Sequence, residues 1–337
     1  MKLVELLKKA VEQLASDIHL IDGAKVAFRI DGEIVFSDFL EQLRADDINT
    51  LCYSILSHNQ KVEFELKREI DFSFEVENLG IFRANYYFQK NSIAASFRVL
   101  PTRIPSLDEL SAPSAIYEII KRLKGLVLVT GATGSGKSTT LASMLNEIIK
   151  TEKKHIITIE EPIEYIFKHA SSIISQRAVG DDTKSFSTAL KFALREDPDI
   201  IMVGEIRDTE TMKMVLEAAQ TGHLVFATLH TNSAVSTLNR IVSMFPSQEQ
   251  NIARAGLAAS LNAVISQLLL PKISGGRICA YEILINTQAV SSLIRDEKIA
   301  QIYSQMEINQ ANSGMQTMEQ AVDTLKKSKL ISFDYRL

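Results

Sequence analysis

Cysteine is scarce in this 337-residue chain: Cys52 and Cys279 are the only two, and they lie far apart. That excludes a disulfide framework and a thiolate zinc cluster, and it fits a reducing cytoplasm. A basic excess is also missing. The formal net charge is −4 and the isoelectric point about 5.9, whereas a general nucleic-acid binder carries a strong basic bias, so no nucleic-acid partner is expected. Long apolar runs are absent too. None approaches the ~20 residues that span a bilayer, so membrane association has to go through a partner or an amphipathic surface. The start, Met1-Lys2-Leu3-Val4-Glu5, mixes both charges and does not read as a secretory signal. Internal repeats and low-complexity segments are lacking. What is present is a chain with 46% hydrophobic residues, enough for two cores, and a length that favours about two domains.

Proline is sparse but clustered. Three of the seven, Pro101, Pro105 and Pro113, fall within 13 residues, and 101–114 reads as a linker. Ahead of it, over 1–100, a mixed α+β domain is expected. Apolar residues recur at helical spacing over 3–14, a helix that packs on its own domain rather than on a membrane, since it carries few lysines. A helical stretch follows over 43–66. Strand-like runs stand at 25–30, 33–36, 69–76, 81–88 and 93–100, with Asp31-Gly32 as a hairpin turn. Beyond the linker, over 115–337, short apolar or β-branched runs at 126–130, 155–159, 200–203 and 224–229 alternate with helical patterns at 185–195 and 209–220. That alternation predicts a βαβ-type domain on a parallel sheet buried on both faces. From Gln248 onward the pattern reads as largely helical.

The most specific signal is Gly131-Ala132-Thr133-Gly134-Ser135-Gly136-Lys137-Ser138, a complete G-x-x-x-x-G-K-[ST] loop between an apolar run and a helical one. Its glycines let the backbone turn tightly and approach a ligand. Successive N–H groups at a helix N-terminus then bind anions. Gly131, Thr133, Gly134, Ser135, Gly136, Lys137, Ser138 and Thr139 are thus expected to hold ATP, with Lys137 on the β- and γ-phosphates and the Ser138 hydroxyl on Mg2+. Hydrolysis needs more. Ile200-Ile201-Met202-Val203-Gly204-Glu205 ends a strand with Gly where Asp is usual, which leaves Glu205 as the water-activating carboxylate. Glu160, Glu161 and Glu164 crowd three carboxylates into five residues. They repel one another unless a cation or an arginine is near; a magnesium–nucleotide site would justify them, and a charged turn is the plain alternative. His223 and His230 flank one strand. Metal binding would want further ligands close by, so a neutral histidine sensing the γ-phosphate, or one satisfied by the backbone, is the expectation.

In order and spacing, Gly131–Ser138, Ile159–Glu164, Val203–Asp208 and Thr221–Asn232 resemble the Walker A, Asp box, Walker B and His box of the secretion ATPase superfamily, the motors of type II secretion and type IV pili. Ala193–Asp199 is similar to that family as well. Ala15-Ser16-Asp17-Ile18-His19-Leu20, the lack of a four-cysteine zinc insertion, the tail Ala289–Asp296, and Lys298-Ile299 with Gly314–Met318 resemble the pilus-retraction branch. Departures stand at Ser291 and Ser292, where that branch has Arg and Asn, at Asp296 for Glu, and at Glu161 for Asp.

The resemblance implies an α/β fold: a RecA-like P-loop ATPase domain preceded by a smaller α+β, PAS-like domain. It implies a homohexameric ring with ATP and Mg2+ at subunit interfaces, and catalytic roles for Glu205, Glu160, Glu164 and His230. Arg83 and Arg98 would act on a neighbour's nucleotide as arginine fingers, unless they pair with acids on their own sheet such as Glu75 or Asp71. The 101–114 linker would be the hinge. The implied partner is an inner-membrane pilus platform protein, with the chain in the cytoplasm at the inner face of the membrane and held there only through that partner. Retraction with twitching motility is the expected output. The alternatives are an accessory retraction paralogue, an extension or type II secretion ATPase, a nucleotide-gated adaptor that hydrolyses poorly, and a small-molecule kinase.

Overall fold

The computed structural model describes residues 2–30, 32–38, 42–101, 103–308 and 313–337. The chain divides into two units, Met1–Arg103 with Glu164–Ile166, and Ile104–Ile163 with Phe167–Leu337.

Among the described residues, the first unit is built on a six-stranded antiparallel sheet in the order β3-β2-β1-β6-β5-β4. Its strands are β1 (Asp17–Leu20), β2 (Ala27–Ile30), β3 (Glu33–Phe36), β4 (Glu69–Val76), β5 (Gly80–Gln89) and β6 (Ser92–Val99). The side-chain period of two puts Phe72, Phe82, Tyr86 and Phe97 on one buried face. Helix α1 (Leu3–Glu12) buries Leu3, Leu6, Leu7 and Ala10, the stripe that its spacing predicts. The helical stretch expected over 43–66 is two helices, α2 (Ala45–Tyr53) and α3 (His58–Lys67). Ser57 makes the break: its side chain accepts from the Gln60 N–H, and the Gln60 side chain accepts from the Ser57 N–H, which starts a new helix. Strand β1 falls in the Ala15–Leu20 motif, which is too short to have declared itself as a strand. On the sheet's other face, register aligns Arg29, Asp17, Arg98 and Arg83 across β2, β1, β6 and β5. The hairpin turn expected at Asp31-Gly32 lies partly outside the described residues.

The second unit carries a seven-stranded sheet in the order β13-β12-β7-β11-β10-β8-β9, again among the described residues. Strands β7 (Gly125–Thr130), β8 (His155–Glu160), β9 (Ile173–Ala178), β10 (Ile200–Val203), β11 (Leu224–Leu229) and β12 (Leu261–Pro271) run parallel, and β13 (Arg277–Ile285) closes antiparallel on β12. β7, β10 and β11 are buried along their whole length. Helices α5 (Lys137–Thr151), α6 (Phe186–Ala193), α7 (Thr209–Gln220), α8 (Ala234–Ser243) and α9 (Gln250–Ser260) follow or precede these strands, after a short α4 (Ser114–Ile120).

The expectation of a largely helical chain from Gln248 is corrected here. α9 gives way to the long β12–β13 hairpin, turned at Gly275 and Gly276, both with positive φ. Helices Gln288–Arg295, Ile302–Ile308 and Met318–Lys327 come only after it. The apolar run Leu268-Leu269-Leu270 reads equally well as buried helix or buried strand, and pairing with Ala280, Cys279 and Ile278 of β13 decides it. No helix of the described residues is long and apolar enough to cross a membrane.

The first unit's core makes a testable point. The Phe97 ring is fully buried and lies edge-on to Tyr86 at 5.6 Å and to Phe74 at 6.2 Å between centroids. Phe97→Ala is expected to destabilise by about 3–5 kcal/mol, read as a lower urea midpoint at an unchanged slope.

Candidate active site

Parallel register brings the site together. Leu229 pairs with Thr130, so His230 leaves β11 beside Gly131. Ser266 pairs with Thr130 on the other side, so Gln267 also borders the loop. Val203 pairs with Ile159, so Glu205 and Glu161 leave neighbouring strand ends.

The loop needs its glycines for two different reasons. Gly131 has φ +146°, and a Cβ there would stand 2.5 Å from Ser135 Oγ and 2.7 Å from the Gln267 backbone oxygen. Gly134 and Gly136 have φ of +78° and +89°, which L residues rarely adopt. Gly136 caps α5, whose first-turn N–H groups face the loop because a helix leaves them without intrahelical partners. Thr133 and Gly134 are exposed on the loop, Ser135 is buried, and Ser138 and Thr139 are half-buried in the first turn of α5. The Lys137 side chain is folded along the loop: Nζ donates to the Gly131 oxygen at 2.8 Å and the Ala132 oxygen at 2.9 Å. A backbone curled this tightly around an ammonium, at the positive end of a 15-residue helix, fits the phosphates of a nucleotide.

From Lys137 a polar chain runs outward. Nζ lies 3.5 Å from His230 Nδ1. His230 Nε2 lies 3.5 Å from Glu205 Oε2. Glu205 Oε1 accepts from Arg207 Nη2 at 2.5 Å, and Arg207 Nη1 donates to Glu161 Oε2 at 2.9 Å. The bond to Glu205 is the main reason that the Arg207 guanidinium titrates even higher than usual. Of the three crowded carboxylates, Glu161 is thus the one that meets an arginine. Sequence reasoning missed Arg207, although it stated the need for a cation and Arg207 stands two residues from Glu205.

The other expected residues fall as follows. Glu160 is buried, and its Oε1 accepts from Thr158 Oγ1 at 2.7 Å and Gln176 Nε2 at 3.2 Å, so it is tied between β8 and β9. Glu164 is exposed and belongs to the first unit, as do Arg83 and Arg98. Arg98 Nε donates to Asp17 Oδ1 at 2.9 Å, and Arg83 Nη2 lies 3.8 Å from Asp71 Oδ1. His223 sits at the opposite end of β11 from His230, with Nδ1 3.0 Å from the Ala218 oxygen, so it closes the end of α7 and not the phosphate loop. Gly204 explains itself. Its N–H donates to the Ile159 oxygen at 2.7 Å, and a Cβ would stand 3.2 Å from that oxygen and 3.3 Å from Glu160 Cα. A further unread residue is Glu282 on β13. Burial raises its pKa, and its Oε1 accepts from the Ala234 N–H at 2.6 Å, which anchors the start of α8 just after His230.

A parallel sheet, a glycine loop that cradles phosphates and a carboxylate–histidine pair beside its lysine define a P-loop ATPase of the RecA-like kind. The chain belongs to the type II/IV secretion system protein family, whose profile matches residues 2–329. It is similar to the type IV pilus retraction ATPase PilT of Pseudomonas aeruginosa, at 45% identity over 332 residues, 98% of this chain and 96% of that one. It is similar to a twitching motility protein of Neisseria gonorrhoeae, at 48% identity over 87% of this chain and 78% of that one. A crystal structure of the pilus retraction motor PilT with bound ADP superposes with a TM-score of 0.93 at 50% identity, covering 99% of this chain and 95% of that one.

Gly131→Ala is expected to weaken ADP binding about tenfold or more, because the strained backbone and the clash with Gln267 each cost on the order of 1–3 kcal/mol. Isothermal titration with ADP measures it, with Ser143→Ala on the buried side of α5 as a control that keeps wild-type affinity.

Proposed function

We propose that the chain is the ATP-driven motor of type IV pilus retraction, working as a homohexameric ring on an inner-membrane platform protein at the inner face of the cytoplasmic membrane. The observation that carries this reading is the joint one: near-complete alignment with retraction ATPases at 45% identity, together with an intact phosphate loop and Glu205 at 3.5 Å from His230.

The chemistry follows from the geometry. Loop N–H groups and Lys137 take the phosphates, and the ammonium exchanges two backbone carbonyls for phosphate oxygens. Ser138, in the first turn of α5, would hold Mg2+, which would neutralise charge on the phosphates. Glu205 turns one oxygen toward the loop, where it accepts a proton from the attacking water or orients it. His230 bridges Glu205 and Lys137, so it is placed to register whether a γ-phosphate lies between them. Glu160, tied to Thr158 and Gln176, holds the end of β8 in place for that site.

Arg83 and Arg98 complete a neighbour's site in this reading. Their partners within the chain make the exchange inexpensive. Both arginines are well exposed, 43% and 63% at the side chain, although Asp17 is only 14% exposed; an exposed pair such as Arg83–Asp71 is worth only about 0–1 kcal/mol. A finger on a transferring phosphoryl group can supply ~10³–10⁵ in rate, so the phosphate wins. Closure over each nucleotide then bends the 101–114 hinge, and closure around the ring in turn moves the platform. Ser291, one of the departures in the tail, donates to the Ala258 oxygen at 2.9 Å and fastens its helix to α9, so the tail keeps a defined place in the fold.

Lys137→Ala is expected to lose ATP binding. Glu205→Gln is expected to keep ATP binding and to hydrolyse roughly 10²–10⁴-fold more slowly, as measured by titration and steady-state turnover; unchanged turnover would remove Glu205 from its role. In cells lacking the gene, surplus pili and no twitching are expected, and Glu205→Gln should fail to restore movement. Loss of pili instead would assign the motor to extension.

Turnover should also depend on assembly. Rings mixed from Arg98→Ala and Glu205→Gln subunits are expected to hydrolyse faster than either pure ring, since an intact arginine then meets an intact carboxylate across an interface. Mixed rings no faster than the weighted mean of the two would count against fingers acting between subunits.

A further inference from the structure

Arg207 lies in the turn between β10 and α7, and its guanidinium works as a fork. One nitrogen holds Glu205 at 2.5 Å and the other holds Glu161 at 2.9 Å. These carboxylates leave different strands, β10 and β8, and their like charges would part them without a cation between. A planar guanidinium serves both at once, where an ammonium is a single point of charge.

Stability does not account for this arrangement. The Arg207 side chain is 62% exposed, and an exposed ion pair contributes only about 0–1 kcal/mol. The start of α7 does not depend on it either, because Asp208 caps that helix by accepting from the Thr211 N–H at 2.8 Å. The consequence falls instead on how Glu205 is turned. The last torsion of a glutamate is soft and roughly two-fold, so either oxygen could face the loop and neither would be held there. With Oε1 fastened to Arg207, Oε2 is the oxygen left on the side of His230 and, through it, Lys137.

We propose that Arg207 is a positioning residue for ATP hydrolysis: it locks the rotation of the Glu205 carboxylate with Oε2 toward the phosphate loop, and Glu161 anchors that lock. Glu161 then acts through Arg207 and not on the nucleotide. The proposal rests on the reading of Glu205 as the water-activating carboxylate.

Steady-state and single-turnover ATPase assays with ADP titrations, all on the full chain, test it. Arg207→Ala is expected to lower kcat roughly 10–100-fold, the usual cost of loosening a group that orients a reacting one. KM for ATP and ADP affinity should stay within about twofold, because no group that touches the nucleotide is removed. Glu161→Gln should also lower kcat, and the double variant should lose no more than Arg207→Ala alone. In a Glu205→Gln background, Arg207→Ala should bring no further loss of single-turnover rate. If Arg207→Ala does not fold by circular dichroism, Glu161→Gln carries the test, because it breaks only the anchor. The proposal is overturned by an unchanged or raised kcat, by ADP affinity that falls in step with kcat, or by an undiminished loss in the Glu205→Gln background. Normal turnover in Glu205→Gln alone is a different result, and it would remove the reading on which the proposal rests.

Discussion

Backbone meeting backbone without a Cβ between is the constraint on which this site depends. Gly131 lies against the Gln267 oxygen of β12, and Gly204 lies against the Ile159 oxygen and Glu160 Cα at the end of β8. Each contact sits at the C-terminal edge of the parallel sheet, where open α/β sheets gather ligand sites. A side chain at either glycine would push the neighbouring strand ends apart by tenths of an ångström or more. The polar chain from Lys137 to Glu161 has two steps already at 3.5 Å, so it has no slack to absorb that shift. The glycine at 204, where a strand-terminal aspartate is usual, is a packing requirement, and Glu205, the proposed water-activating carboxylate, stands one residue on.

Charge follows from that packing. Bringing β8 and β10 together at Gly204 places Glu161 and Glu205 close enough to repel, and Arg207 resolves the repulsion in the same place. Sheet packing, electrostatics and the orientation of the Glu205 carboxylate are therefore one arrangement. Changing any of the three shifts the other two, which is why the effects of substitutions here should be strongly non-additive.

Much of this was legible from the residues. The loop at 131–138, its strand and its helix are encoded locally by glycine spacing and by β-branched runs, and so are the four strands that carry the site. What stayed hidden depends on distant pairing. β12 and β13 could not be told from helix by their apolar runs, because only the register of β12 with β7 and of β13 with β12 makes them strands. Should Arg98 pair on its own sheet rather than act as a finger, acids such as Glu75 and Asp71 were the expectation. Its partner is Asp17, 81 residues away, because the four-residue β1 slots between β2 and β6. The Arg83–Asp71 pair was among those anticipated, since β4 and β5 are consecutive strands whose register a reader can align. Arg207 shows a different limit. Its residue type was visible, but its use needs two loops from separate strands to face it at once.

The arginines of this chain fall into two physical kinds, and the difference bears on how a motor can work. Arg207 holds two carboxylates, each within 3 Å, so releasing it would leave two like charges facing each other. It is suited to a fixed part of the machinery. Arg83 and Arg98 are themselves well exposed and each holds a single acid, Arg83 at 3.8 Å and Arg98 at 2.9 Å. Letting go of such a pair costs little in water, where solvent and salt already screen it. A group that must engage and release once per turnover has to be weakly held at rest, or the resting contact competes with the charge it is meant to stabilise. Of the proposed fingers, Arg83, with its single 3.8 Å contact to an exposed acid, meets that requirement best; Arg98 has to leave one acid, Asp17, whereas Arg207 would have to leave two, which fits it to the positioning role proposed for it.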